Sequence, residues 1–296
     1  MYKGIVLAGG NGTRLYPATK AVSKQLMVVY DKPMIYYPIA TLMLAGITEI
    51  LVITTENDQP AYQALLRDGS QWGLKFSYIV QPRPEGLAQA FTLGREFLDG
   101  APAALTLGDN LFFGHAFTNL LRQATSREDL ATVFLYQVSD PGRYGVAEFD
   151  EQGDICQVVE KPKEPPSRWA VTGLYFFTPE VSEVAAGVQK SARGEYEITE
   201  VINHYIKSQR IQAIKMGRGY AWLDTGTPEA LLQASSFVGT IESRQGVKIA
   251  CLEEIAYNLE LMGRDQLKQM LEDKRDIPYY KYVLDLIEAG GPVPPA

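Results

Sequence analysis

The sequence predicts an α/β chain: a mostly parallel sheet covered by helices, followed by a helical C-terminal extension. Three observations lead there. Strand-like and helix-like segments alternate through the first half, polar loops fall just past the strand ends, and beyond Pro228 the signals are almost all helical. Residues 2–8 read as a buried strand running into Gly9-Gly10-Asn11-Gly12. Residues 34–45 read as a helix, with Pro33 near its first turn, Gly46 beyond its end and a local distortion at Pro38. Residues 49–54 form the next strand, 60–67 a short helix ending near Gly69, and 74–80 a third strand. A helix over 87–98 and a strand over 103–107, closed by Gly108-Asp109-Asn110, complete the first half. The glycine loop, Gln81 and Asp109 each follow the carboxyl end of a strand, which is the edge where open α/β sheets bind ligands.

The second half changes character. Residues 144–160 alternate polar and apolar around Glu151-Gln152-Gly153, as a hairpin does, so the sheet is mixed. Residues 171–177 and 211–216 supply further strands and 197–208 an amphipathic helix; the helical tail ends at Gly290-Gly291-Pro292, with 293–296 expected to fray. No internal repeat or low-complexity linker interrupts the chain.

With 296 residues, 46% hydrophobic and 21% charged, the chain can bury a large core as one large domain or two smaller ones. No apolar stretch approaches the roughly 20 residues of a membrane span and no signal-peptide layout opens the chain, so the expectation is a soluble cytoplasmic protein. Cys156 and Cys251 lie far apart, with only His115 and His204 beside them in the inventory, which fits neither a disulfide framework nor a zinc cluster. A net charge of −7 without any Lys/Arg block argues against nucleic-acid or membrane binding. Anionic substrates must then be held by a few placed cations.

The strongest local signal is Leu7-Ala8-Gly9-Gly10-Asn11-Gly12-Thr13-Arg14-Leu15-Tyr16-Pro17. Its glycines let backbone N–H groups approach an anion, and Arg14 follows as a fork donor for phosphate oxygens. It is neither a Walker loop nor a complete dinucleotide fingerprint. Taken alone it reads equally as a glycine-rich turn with a solvated arginine, and Lys24 alone reads as a surface lysine.

The motifs taken together are more specific. Residues 9–17, Ser23-Lys24-Gln25, residues 30–37, Gln81-Pro82 with residues 86–91, Gly108-Asp109-Asn110, Glu160-Lys161-Pro162, Val171-Thr172-Gly173 and residues 221–227 occur in order. Over nearly its whole length the chain thereby resembles the glucose-1-phosphate thymidylyltransferase family. The resemblance implies a Rossmann-like nucleotide-diphosphosugar transferase fold. It also implies direct attack of glucose 1-phosphate on the α-phosphorus of dTTP, giving dTDP-glucose and pyrophosphate with Mg²⁺ and no covalent intermediate. In-line phosphoryl transfer needs chiefly alignment and charge neutralisation, so the lack of a nucleophile-and-histidine set is consistent.

Residue by residue, the resemblance gives Arg14, Lys24 and Lys161 catalytic roles. It gives nucleotide binding to Leu7, Gly9, Gly10, Gly12, Thr13, Arg14, Gln25, Gln81, Gly86 and Asp109, with Gln81 and Gly86 on the pyrimidine edge. Tyr144, Gly145, Glu160, Lys161, Val171, Thr172 and Trp222 match the sugar-phosphate subsite, and Asp109 and Asp224 the magnesium ligands. Asp109 could otherwise be a helix cap, Asp224 a turn residue, Glu160-Lys161 an exposed pair and Trp222 a core aromatic. The resemblance further implies a catalytic part over 1–240 and an extension over 241–296, the latter building a homotetramer (a dimer of dimers) and a regulatory nucleotide-sugar site. There the chain departs from the pattern: Asn258 stands where family members commonly carry arginine after Glu253-Glu254-Ile255-Ala256-Tyr257. Feedback inhibition by dTDP-rhamnose is accordingly expected to be weak.

Three alternatives compete. Gln81 cannot separate thymine from uracil, which admits a UTP-using or sugar-promiscuous enzyme. A silent nucleotide-sugar sensor on the same fold would not need the retained Arg14, Lys24, Asp109, Lys161 and Asp224. A nicotinamide-dependent oxidoreductase is suggested only by the incomplete glycine motif.

Overall fold

The computed structural model describes residues 1–10 and 12–290; Asn11 of the glycine loop and the tail expected to fray lie outside the described residues. The chain begins with β1 (Lys3–Ala8), the short strands β2 (Val28–Val29) and β3 (Lys32–Pro33), α1 (Tyr36–Leu44), β4 (Glu49–Thr54), α2 (Gln59–Leu66) and β5 (Lys75–Val80). It continues through α3 (Gln89–Leu93), α4 (Arg95–Leu98), β6 (Ala103–Leu107), β7 (Asn110–Gly114), α5 (Phe117–Thr125), β8 (Ala131–Gln137), β9 (Gly145–Phe149), β10 (Ile155–Glu160) and β11 (Trp169–Phe177). The remainder is α6 (Val181–Ala186), α7 (Ile198–Lys207), β12 (Ile211–Met216), β13 (Tyr220–Asp224), α8 (Pro228–Gln245), α9 (Leu252–Asn258), α10 (Arg264–Leu271) and α11 (Pro278–Ala289).

The main sheet runs β10-β9-β11-β6-β1-β4-β5, with β8 on β11 and β12 on β8. β1 pairs in parallel with β4 and β6, and β4 with β5, whereas β11 is antiparallel to β6, β8 and β9. The predicted mixed sheet is therefore present. Its central strand is apolar on both faces because both are covered: Val6 packs with Ile35 and Ile39, and Ile5 with Phe91 and Leu98.

The structure corrects several boundaries. Pro38 is the third residue of α1, where the missing N–H has no intrahelical acceptor to serve, so the helix is shorter than expected and needs no distortion. At its other end Gly46 N donates to Met43 O at 2.8 Å and Ile47 N to Leu42 O at 3.0 Å, a Schellman closure with Gly46 at φ 79°. The helix expected over 87–98 breaks into α3 and α4 at Gly94. Strands β7, β8 and β13 and helices α5 and α6 are additional to the predicted elements. α8 runs unbroken through position 240, capped by Thr227, whose Oγ1 accepts from Ala230 N at 3.2 Å.

Two features position the site. β7 and β13 form a separate antiparallel ribbon that sets Asp224 opposite Asn110 and Trp222 opposite Phe112. At the free edge of β10, the Asn203 amide of α7 accepts from Val158 N at 2.8 Å and donates to Val158 O at 2.9 Å, standing in for a neighbouring strand.

Candidate active site

Past the end of β1, Gly12 adopts φ 59° and leads into a single 3₁₀ turn over Thr13–Leu15, which leaves Arg14 exposed at the rim of a cavity. Thr19 Oγ1 donates to Gly12 O at 2.7 Å and fixes this exit from the loop. Lys24, in the 3₁₀ turn Lys24–Leu26, is buried at 6% exposure, and its ammonium pairs with the carboxylate of Asp109. Desolvating a lysine is expensive unless it meets a charge, so this pair explains a placement that the sequence does not suggest. Gln25 is buried beside it, its Oε1 accepting from Ser23 Oγ at 3.1 Å and Tyr62 OH at 3.3 Å.

Gln81 follows β5 and is buried against Gly9, where a Cβ on the glycine would fall on Gln81 Oε1. Gly86 has φ 112°, and a Cβ there would strike the Tyr196 carbonyl. Glycine is thus required by both the backbone angle and the neighbour.

The two candidate metal carboxylates meet through the β7–β13 ribbon. Thr225 closes it, with N and Oγ1 donating to Asp109 O at 3.2 and 2.9 Å. Asp224 Oδ1 accepts from Gly226 N at 2.8 Å and Oδ2 from Tyr144 OH at 3.2 Å. Asn110, 2% exposed, follows Asp109 in the chain and stands opposite Asp224 in the ribbon. Its Nδ2 donates to Asp109 Oδ1 at 2.8 Å, while Oδ1 accepts from Trp222 Nε1 at 2.6 Å and Gly173 N at 3.2 Å. Trp222 is buried, packs against Tyr136 and Tyr144, and also lines the cavity.

The hairpin register groups the residues that the resemblance assigns to the sugar-phosphate subsite. Glu160 pairs with Gly145 at the open end of β9–β10, and Lys161 N donates to Tyr144 O at 3.0 Å, so the four residues are adjacent. Glu160 is partly buried, and that burial raises its carboxyl above the usual range, with Glu197 adding to the rise while Lys161 and Arg193 oppose it. Lys161 Nζ lies 3.6 Å and Arg193 Nη1 3.3 Å from Glu160 Oε1. Burial, then the nearby Asp224 carboxylate, push the Tyr144 phenol up to about 12.

One cavity of about 370 Å³ is lined by Arg14, Asp109, Tyr144, Gly145, Glu160, Lys161, Val171, Trp222 and Asp224. Lys24 reaches it through Asp109. Leu7, Gly9, Gly10, Gly12, Thr13, Gln25, Gln81 and Gly86 are not among its lining residues, nor is Thr172, which is fully buried while Val171 and Gly173 on either side face the cavity. That follows from strand alternation. Sequence reasoning assigned no role to Asn110, although it stands in the Gly108-Asp109-Asn110 motif, or to Arg143 beside Tyr144, both of which line the cavity, and it did not single out Arg193, which pairs with Glu160. A second cavity of about 420 Å³, including Tyr37, Phe113, Arg122, Lys248, Glu254 and Asn258 in its lining, lies under the C-terminal helices.

The sequence profile described as Nucleotidyl transferase matches residues 3–240. The glucose-1-phosphate thymidylyltransferase of Xanthomonas campestris pv. campestris (strain B100) is 52% identical over 288 residues, covering 97% of this chain and 98% of the relative. That of Neisseria gonorrhoeae is 50% identical, covering 96% and 99%. Among solved structures, a Bacillus anthracis protein bearing the glucose-1-phosphate thymidylyltransferase name superposes with TM-score 0.74 at 37% identity, covering 80% of this chain and 95% of that one. A UDP-glucose pyrophosphorylase complexed with UDP-glucose gives 0.71 at 28%, covering 81% and 100%. With an apolar-cored mixed sheet, a cation-and-carboxylate cavity at its carboxyl edge and these relatives, the chain belongs to the nucleotidyl transferase family, in its glucose-1-phosphate thymidylyltransferase branch.

Proposed function

We propose that the chain joins glucose 1-phosphate to dTTP, forming dTDP-glucose and releasing pyrophosphate. The observation that carries this reading is the single cavity in which Arg14 and Lys161 face Asp109 and Asp224. Arg14 and Lys24, one exposed and one buried, supply a fork and a point charge for the triphosphate and the departing pyrophosphate. Lys161 receives the sugar phosphate, and Glu160 with the Gly145 backbone holds hexose hydroxyls. Gln81 and the Gly86 backbone read the base, and Leu7, Gly9, Gly10, Gly12, Thr13 and Gln25 shape the bed beneath the nucleotide. Thr172 acts through its backbone, since its side chain is turned away.

Magnesium takes hard oxygen donors, keeps several waters and is commonly held by one or two carboxylates plus substrate phosphates. Asp109 and Asp224 fit that demand, and among the described residues no group of three or more His, Cys, Asp or Glu could hold a metal. When bound, the ion supplies charge neutralisation across the phosphates. Asn110 and Tyr144 orient the two carboxylates that would hold the ion, and Lys24, paired with Asp109, would supply positive charge for the phosphates.

Residues 1–240 are read as the catalytic part and 241–296 as the extension, joined by one continuous helix, with assembly as a homotetramer through the extension. No helix among the described residues is long and apolar enough to cross a membrane, and the phosphorylated substrates support a cytoplasmic location. A matrix of nucleoside triphosphates against hexose 1-phosphates with magnesium tests the reading. dTDP-glucose should be the favoured product, with UTP accepted less well; preference for ATP or GTP over both pyrimidine nucleotides would refute it.

A further inference from the structure

One polar side chain beside the base-reading residues has no task in the proposed reaction. Gln89, the first residue of α3, is half-buried and turned back into the loop that precedes it. Its Oε1 accepts from the backbone N–H of Glu85 at 3.3 Å and from Gln81 Nε2 at 2.7 Å. Its Nε2 donates to Glu85 Oε2 at 3.4 Å, and Lys190 Nζ holds the other oxygen of Glu85 at 2.6 Å. The loop is clasped from outside, Tyr196 N donating to Glu85 O at 2.7 Å and Ala88 N to Tyr196 O at 3.2 Å.

A glutamine amide can exchange its oxygen and nitrogen by rotation, so an isolated one offers no fixed order of donor and acceptor. A backbone N–H cannot exchange. It requires an acceptor, and the Glu85 carboxylate requires a donor, so both ends of Gln89 are assigned. The Oε1 of Gln89 in turn demands Nε2 from Gln81. That leaves Gln81 Oε1 directed to Gly9, where the missing side chain makes room.

We infer that Gln89 is a positioning residue that sets base selectivity: by fixing the order of donor and acceptor in the Gln81 amide, it admits a pyrimidine with an imide edge and rejects an aminopyrimidine. The inference rests on the reading that Gln81 meets the base. Thymine and uracil offer a ring N–H beside a carbonyl, whereas cytosine offers a ring nitrogen acceptor beside an amino donor. A freely rotating glutamine satisfies either edge. A fixed one sets donor against donor and acceptor against acceptor when cytosine enters, and those buried groups lose their partners.

The test uses the full chain with glucose 1-phosphate and magnesium, measuring kcat/KM for dTTP and dCTP in the parent, Gln89→Met, the double variant Gln89→Glu with Glu85→Gln, and Gln81→Met. Gln89→Met should lower the dTTP to dCTP ratio by about tenfold or more, the discrimination carried by one bidentate base contact. Gln89→Glu, made together with Glu85→Gln so that the new carboxylate meets an amide donor rather than the Glu85 carboxylate, keeps the acceptor for the residue 85 backbone N–H and Gln81 and should hold the ratio near the parental value. If Gln89→Met loses both activities in proportion, or if the double variant falls as far in ratio as Gln89→Met, while Gln81→Met collapses the ratio, the positioning role is overturned and base reading by Gln81 stands. If Gln81→Met leaves the ratio unchanged, base reading by Gln81 fails and the inference falls with it.

Discussion

Asp224→Asn and Asp109→Asn make a contrasting pair, because the two carboxylates face different neighbours. Asp224 accepts one backbone and one phenolic hydrogen bond, at 2.8 and 3.2 Å, and an asparagine can retain the first through its carbonyl. Its packing should survive. Turnover should nevertheless fall by roughly 10²-fold or more, by analogy with the loss of one electrostatic stabiliser from an oxyanion hole. Asp109 faces Lys24, and the pair's side chains are 24% and 6% exposed. Removing the carboxylate strands a buried ammonium, which should cost on the order of 2–3 kcal/mol of stability, somewhat less than a wholly buried pair because Asp109 meets some water. Pyrophosphate release during a magnesium titration measures the first effect, and denaturant unfolding the second. An independent readout comes from Tyr144, whose phenol is pushed up to about 12 by burial first and Asp224 second. Ultraviolet titration should show it ionising at lower pH in Asp224→Asn. Near-parental turnover with unchanged magnesium dependence in both variants would show that the carboxylates are structural.

Other expectations follow from single positions. Gly86→Ala forces a Cβ onto the Tyr196 carbonyl at φ 112°, and should raise the KM for dTTP while costing on the order of 1–3 kcal/mol of stability; an unchanged KM would remove Gly86 from the base site. The Glu254 carboxyl is raised by burial to about 7 from 4.5, so the folded state binds the extra proton and stability is lost as pH rises through that window. Relative to Glu254→Gln, the parent should therefore lose about 1–3 kcal/mol between about pH 5 and pH 8, and parallel stability profiles would contradict this. With Asn258 lining the second cavity, dTDP-rhamnose should inhibit the parent weakly and Asn258→Arg more strongly; tight inhibition of the parent that neither substrate relieves would refute the expectation.

Much of the fold was legible because β1, β4 and β6 are buried on both faces and read as unbroken apolar runs bounded by glycine or polar turns. The carboxyl-edge positions of the glycine loop, Gln81 and Asp109 followed directly. β7 was not legible because it begins at Asn110, inside the polar cluster read as the close of the preceding strand. Pro38 misled in the other direction, since a proline within the first turn costs a helix nothing. Side-chain direction was the least accessible layer. Thr172 turns away from the cavity because alternate residues of a strand face opposite sides, and Gln25 spends its acceptor on Ser23 and Tyr62. Asn110 and Gln89 bond to other side chains, and which atoms an amide touches depends on the folded chain rather than on its neighbours in sequence.

The β7–β13 ribbon bears on when the enzyme becomes competent during synthesis. Its lock is a hydrogen bond from Trp222 to Asn110 spanning 112 positions, and the register it fixes puts Asp224 beside Asp109. A growing chain can complete the glycine loop and the Lys24–Asp109 pair long before it contains Asp224, whereas the loop around Gly86 waits for Lys190 and Tyr196 to clasp it. A chain ending ahead of Tyr220 lacks β13, and with it both Asp224 and the Trp222 partner of Asn110, so prematurely terminated chains would be without the second proposed metal carboxylate.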